Sequence, residues 1–285
     1  MPKPPPKDPF KVLLRWINRR EEARINKENG KPKPWTDDKI IQSTYFTNVR
    51  REDDKVTRWY AQNVREPLKK AMVLPFATIA FRWFNKIETG QVLLDLDALV
   101  NWNTREVLLK LHQMRNAGEA IFTGAFNISN SGSTKPKINR VCEDYIEPVW
   151  QIRQSLHGEL YGKNLEDAFK VLNKLPGLGG SGFMAAQVVA DLKYSPILQN
   201  AKDWESWCCL GPGSKKGLNY LLGQPMDEPL PKDWRKHFEG FRTDAYEATG
   251  LELHAQDFQN CLCELSKFVR VMEGGRSKRK YNGNL

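Results

Sequence analysis

The chain has 285 residues, 40% of them hydrophobic, enough to bury a sizeable core in one large domain or two small ones. Lys and Arg number 44 against 34 Asp and Glu, a net charge of +10 that favours a polyanionic partner, because contacts to phosphates release counterions. No apolar run approaches a membrane span and residues 1–9 lack a secretory signal, so a cytoplasmic protein with no membrane partner is expected.

In chain order, the proline-rich start (residues 1–9) predicts an extended arm, since repeated proline favours polyproline II. Val12, Leu13, Trp16 and Ile17 alternate with Arg19, Arg20, Glu21 and Glu22, which predicts an amphipathic helix from Phe10 to Asn29. Thr36 or Asp37 is expected to cap a second helix through Ile40, Ile41 and Tyr45. Further helices are predicted over Val49–Arg65, Ala71–Asn85, Thr104–Ala117, Ile138–Leu156 and Leu165–Leu175, with 93–100 less clear. Residues 120–128 are the best short extended run, leading into the polar loop 129–137. A last helix runs from Gln256 to Met272 and is followed by a basic tail over 274–285. The pattern predicts a mainly α fold, with residues 10–273 as a single helical domain. Five cysteines, an odd number without zinc spacing, fit buried reduced thiols.

The most interpretable segment is Leu175-Pro-Gly-Leu-Gly-Gly-Ser-Gly-Phe183, where one helix ends, the chain turns tightly and another begins. Glycine permits positive φ and lets amides approach an anion, while the new helix offers unsatisfied N–H groups and a positive dipole end. Gly177, Gly179 and Gly182 are therefore candidates to hold a DNA backbone, with the hairpin spanning about 170–192. The alternative is a packing turn between core helices. A second cluster, Leu210-Gly-Pro-Gly-Ser-Lys-Lys-Gly-Leu218, offers Gly211, Gly213, Lys215 and Lys216 for the same purpose, or a plain helix–helix connection. Neither is a Walker A loop: the G-x-x-x-x-G-K-[ST] spacing occurs nowhere, which counts against a P-loop kinase.

Tyr45 to Tyr60 is the densest polar and aromatic stretch. On a helix starting near Asn48, Arg50, Asp54 and Arg58 would share a face, with Arg51 and Lys55 on the next. Such a stripe binds pyrophosphate or forms a solvated ion-pair ladder.

The strings Pro34-Trp-Thr-Asp-Asp38 and Phe46-Thr-Asn-Val-Arg-Arg-Glu-Asp-Asp54 together resemble phage thymidine-hypermodification enzymes. That group comprises the glutamyl/putrescinyl-thymidine pyrophosphorylases and amino acid:DNA transferases, and is related to the helical domain of 5-hydroxymethyluracil DNA kinases. Phe122-Thr-Gly-Ala-Phe126, Gly182 to Leu192 with Gly211-Pro-Gly213, and Asp257 to Arg270 agree, so the resemblance spans about residues 10 to 280.

The resemblance implies a scaffold like that of helix-hairpin-helix DNA glycosylases. It also implies action on double-stranded DNA carrying modified 5-hydroxymethyluracil, with an amine or amino acid replacing a pyrophosphate on the exocyclic carbon. A kinase or its helical domain, a glycosylase, and a non-catalytic DNA-binding subunit are the alternatives. Base excision fits less well, because Gly180-Ser181 occupies the place of the glycosylase Lys, Asp191 lies too early for the catalytic Asp, and Asp203 is nearer.

In the amine-transfer scheme the nucleotide is turned out of the duplex. Tyr45, Phe46, Asn48, Phe126 and Gln187 are candidates for the base pocket. Arg50, Arg51, Arg58 and Lys267 would receive the leaving pyrophosphate. Asp54, Asp191 or Glu264 would take the amine's proton. Mg²⁺ could share the leaving group's charge, though no ligand cluster identifies a cofactor.

Overall fold

Helices begin where short polar side chains can take up the first amides. α1 (Pro9–Glu28) starts at Asp8, whose carboxylate accepts the N–H groups of Phe10 and Lys11 at 3.1 and 3.2 Å. The computed structural model describes residues 8–126, 128 and 132–276, so the expectations for the proline-rich arm and for most of the basic tail lie outside the described residues. α2 (Lys39–Ser43), α3 (Lys55–Tyr60), α4 (Leu74–Phe84), α5 (Ile87–Asp95), α6 (Thr104–Asn116) and α7 (Lys137–Asn139) follow. After them come α8 (Glu147–Gln151), α9 (Arg153–Leu160), α10 (Leu165–Leu172), α11 (Phe183–Leu192), α12 (Pro212–Leu221), α13 (Trp234–Thr249) and α14 (Ala255–Met272). Wider π turns continue α3 over Ala61–Arg65 and join α7 to α8 over Arg140–Ile146. No strand forms among the described residues, as the mainly α reading expects.

Three local expectations are corrected, and one helix is added. Asp38, not Thr36 or Asp37, caps α2, accepting from the amides of Ile40 and Ile41 at 2.9 and 3.3 Å. The charged helix starts at Lys55 rather than near Asn48. Its first half is instead an irregular segment, because side chains of α1 and α14 hold its backbone. Asp257 accepts the Arg51 amide at 2.9 Å, Asn260 donates to Asn48 O at 3.1 Å, and Arg20 donates to Thr47 O at 2.9 Å. Arg50, Asp54 and Arg58 therefore do not form a stripe on one helix. The described residues of 120–128 form no strand: Ile121 O accepts from Thr89 Oγ1 and the Thr123 amide donates to Phe84 O, both at 2.7 Å. Finally, α13 is present although its pattern drew no prediction; Asp233 precedes it and Gly250 (φ 68°) ends it.

The chain divides into two compact units, residues 1–54 with 208–285, and residues 55–207. The first unit packs α1, α12, α13 and α14 around Trp16, Phe46, Phe238, Phe258 and Phe268. Phe46 meets Trp16 edge-on at 6.2 Å and Phe268 at 5.9 Å. In that unit α12 lies closely on α14, with Gly213 and Gly217 at the contact.

The second unit is built around α4, whose residues are buried on every side, as expected of a helix that is apolar all round. Trp59 and Tyr60 stack on Phe81 at 5.3 and 5.4 Å, Trp83 on Tyr145 at 4.7 Å, and Phe84 on Phe122 at 5.5 Å. No described helix is long and apolar enough to cross a membrane.

Candidate nucleic-acid interface

In the second unit α10 and α11 form a helical hairpin joined by residues 173–182. Asp203 caps α10 from 38 residues away, accepting the amides of Leu165 and Glu166 at 2.7 and 3.0 Å. Its carboxylate is thus committed to the scaffold rather than to the glycosylase role that its position suggested.

The turn is held from beneath by aromatic rings. Gly177 has φ 74°, and a Cβ there would stand 2.6 Å from both Trp83 and Tyr145. A Cβ on Gly179 would come within 2.8 Å of Asn173 O, and one on Gly182 within 2.7 Å of Phe169. All three glycines are demanded by the turn's own packing. Gly180 (φ 78°) has nothing within 4 Å, and Ser181 is exposed. Gly182 precedes α11 without a side-chain cap, the first turn carries no acid, and the first helical bond runs from Ala186 N–H to Gly182 O at 2.9 Å. The amides of 183–185 therefore point out of the helix end beside the exposed tip, where an anion is stabilised by the helix dipole. Lys174, exposed on the near side of the turn, adds a cation.

The second glycine cluster is different. Gly211 caps α12 and has open space around it, but a Cβ on Gly213 would lie 2.5 Å from Cys263 Sγ, and one on Gly217 would overlap Leu262 O. Gly213 is thus a helix–helix contact rather than a seat for a phosphate. Lys216 pairs with Asp227 at 2.6 Å, while Lys215 is exposed.

The predicted catalytic and pocket residues fall in both units. In the first, Tyr45, Phe46, Asn48, Glu264 and Lys267 come together. Lys267 Nζ is 2.6 Å from Glu264 and stands 4.8 Å over Phe46 and 6.0 Å from the Tyr45 ring. Phe46 is only 4% exposed, so its ring belongs to the core rather than to a base pocket. Asn48 accepts from Arg20 and donates to Asp53 O at 2.7 Å, holding the segment it sits on. Arg50 precedes and Arg51 opens a short 3₁₀ turn (Arg51–Asp53) that ends at Asp54. Burial raises the Asp53 carboxyl above its ordinary range, and Arg24, 3.3 Å away, opposes that.

In the second unit Arg58 is exposed on α3, Gln187 is half-buried on α11, and Phe126 meets Phe183 at 5.1 Å. Asp191 is fully buried and forms a two-point pair with Arg82, Nη2 to Oδ1 at 2.7 Å. Arg82 also donates to Asn85 and to Thr57. A carboxylate held at both oxygens by a guanidinium inside the core has its lone pairs engaged and no open approach for a substrate. That geometry corrects the catalytic expectation for Asp191 to a structural one.

Along the outer face of α1, Lys11, Arg15, Asn18, Arg19 and Glu22 line an open depression of about 600 Å³. Its guanidiniums are already engaged, Arg15 with Asp38 at 2.7 Å and Arg19 with Glu22 at 3.0 Å. Among the described residues, no group of three or more His, Cys, Asp or Glu is placed to hold a metal ion. The five cysteines are free thiols; burial pushes Cys263 up to about 11 and Cys208 up to about 12, which leaves them unreactive near neutrality.

Several structurally important residues escaped the sequence reading. His254 caps α14 and lies 2.9 Å from Asp257, which in turn holds Arg51. Arg82 carried a signal: a lone charge inside an apolar helix requires a buried partner.

The family model described as "5-hmdU DNA kinase, helical domain" matches residues 7–277. The curated "5-hmdU DNA kinase" of Bacillus phage SP10 is 26% identical over 294 residues, covering 89% of this chain and 45% of its own. The chain thus spans less than half the length of that relative. No solved structure matches. A family match over nearly every described residue, on an all-helical framework, places the chain in the 5-hmdU DNA kinase helical-domain family, related to phage thymidine hypermodification.

Proposed function

We propose that this chain is a DNA-binding helical module that serves phosphoryl transfer to 5-hydroxymethyldeoxyuridine in double-stranded DNA. The observation that carries the reading is the family match over residues 7–277, to a domain named for a kinase acting on that nucleoside. The net charge of +10 and the uncapped start of α11 support a polyanionic partner. The sequence lacks a Walker A loop, so in this reading ATP is handled by a catalytic part of the kind that the remaining length of the SP10 protein could hold. The chain's own work is then to seat the backbone and present the base.

Binding to a duplex containing 5-hydroxymethyldeoxyuridine tests this directly. Affinity should fall about tenfold or more between 50 and 200 mM salt, as even a few phosphate contacts require. Affinity that is absent, or unmoved by salt, would remove the reading.

Amine-for-pyrophosphate exchange is a second reading, and one observation favours it: the Lys267–Glu264 pair beside Tyr45. There the amine nitrogen bonds to the exocyclic carbon, pyrophosphate departs toward Lys267, and Glu264 takes the proton. It predicts an aminated thymidine on nucleoside mass spectrometry when the chain meets pyrophosphorylated DNA and an amine. The kinase-module reading predicts none.

A further inference from the structure

We propose that Phe183, buttressed by Phe126, is a stacking platform for a nucleobase of the strand whose backbone meets the hairpin turn. The inference rests on the DNA-binding reading above and names the ring that would touch the base.

Many large aromatic side chains of the second unit are spent on the core: Phe76, Phe81, Phe84 and Tyr60 are fully buried and Trp83 is 3% exposed, whereas Tyr161 and Phe183 are exposed. Phe183 departs from that pattern, being 42% exposed although it opens a helix whose opposite face is buried. Its position matters more than its exposure. As the first residue of α11 it shares the helix end where the amides of 183–185 point outward, next to exposed Gly180 and Ser181. Phe126 meets it at 5.1 Å with planes 66° apart, an edge-to-face contact that fixes the Phe183 ring from one side.

A second feature marks the same turn as incomplete. Trp83 lies directly under Gly177, and the indole carbon nearest that glycine, Cζ2, is two bonds from Nε1. That buried donor has no hydrogen-bond partner among the described residues. Buried donors are nearly always paired, so an open one on the ring packed against Gly177 sets this turn's floor apart.

A flat apolar surface joined to a positive helix end, with no acid in the first turn and lysine at the turn's start, matches a nucleotide unit. A nucleotide joins a planar ring to an anion within one residue. A fatty-acid chain has an anion but no planar ring, and a packed helix lacks the plane. Stacking on aromatic rings tolerates any base, because every base presents a π face.

The test uses the full chain with Phe183→Ala and Phe183→Trp, and a duplex carrying 2-aminopurine next to 5-hydroxymethyldeoxyuridine. Phe183→Ala should bind about tenfold or more weakly. Its salt dependence should match the parent's, since the phosphate contacts remain. The change in 2-aminopurine fluorescence on binding should be lost, and Phe183→Trp should restore both signals. Equal affinity and equal fluorescence for the parent and Phe183→Ala overturn the platform while leaving the DNA-binding reading intact. A parent chain that binds no DNA removes that reading and this one together. A Phe183→Ala chain that only loses self-association in sedimentation overturns the proposal in favour of a dimer contact. Phe126→Leu, which removes the buttress, should give a smaller loss in the same direction.

Discussion

Gly217→Ala is expected to destabilise the first unit by at least about 3 kcal/mol, at the upper end of what overpacking costs. A Cβ at this position would overlap the carbonyl oxygen of Leu262 and stand 2.7 Å from its carbonyl carbon and 3.0 Å from its Cα. These are backbone atoms in the middle of α14, held by their own helical hydrogen bonds, so no rotamer change can relieve the clash. Either α12 lifts away from α14 or the chain fails to fold. Gly211→Ala is the matched control: nothing lies within 4 Å and its φ is −81°, so the change should be close to neutral. Denaturant midpoints decide the matter. If Gly217→Ala unfolds with Gly211→Ala, the close contact of α12 on α14 is wrong, and a ligand-facing role for this glycine cluster returns.

Asp191→Asn should cost about 3–5 kcal/mol, because it leaves the Arg82 guanidinium uncompensated in the core. The sign of the second step is as informative as the first. A double change to Arg82→Met with Asp191→Leu should recover a large part of that loss, since an apolar pair removes both desolvation costs. Recovery will be incomplete, because Asn85 and Thr57 also hydrogen-bond Arg82. Were Asp191 a proton acceptor in catalysis, Asp191→Asn would fold with its parent's midpoint and lose turnover alone. Thermal or chemical denaturation of the single and double variants separates these outcomes.

What could be read from residue order was the periodic part of the fold. α1, α6 and α14 lie within a residue or two of their predicted bounds, because long amphipathic repeats, capped here by Asp8, Asn103 and His254, leave little freedom. The hairpin turn was equally legible, since few structures other than a tight turn need four glycines within six residues at 177–182. Segment 44–54 was not. Its helical pattern loses to long-range bonds from Asp257 and Asn260, more than two hundred residues away, and local pattern carries no trace of them. The same limit explains Gly213: a glycine needed under a sulfur atom and a glycine needed under a phosphate look alike in one dimension. Lys267 stands beside Glu264, Phe46 and Tyr45 in the first unit, a neighbourhood that residue order alone does not give. The burial of Phe46 was hidden, because an aromatic in a polar stretch gives no sign of which neighbour covers it.

Seating of a DNA backbone on the exposed tip of the α10–α11 hairpin is tested most directly by Ser181→Glu. This position is exposed, and a carboxylate just before α11 suits the helix dipole, so stability should hold or rise slightly. The same charge would face any phosphate brought to the amides of 183–185. Fluorescence anisotropy with a duplex carrying 5-hydroxymethyldeoxyuridine should show affinity falling about tenfold or more at low salt, with a shallower salt slope. An affinity and slope equal to the parent's, in a protein of unchanged stability, would mean that DNA does not meet this turn.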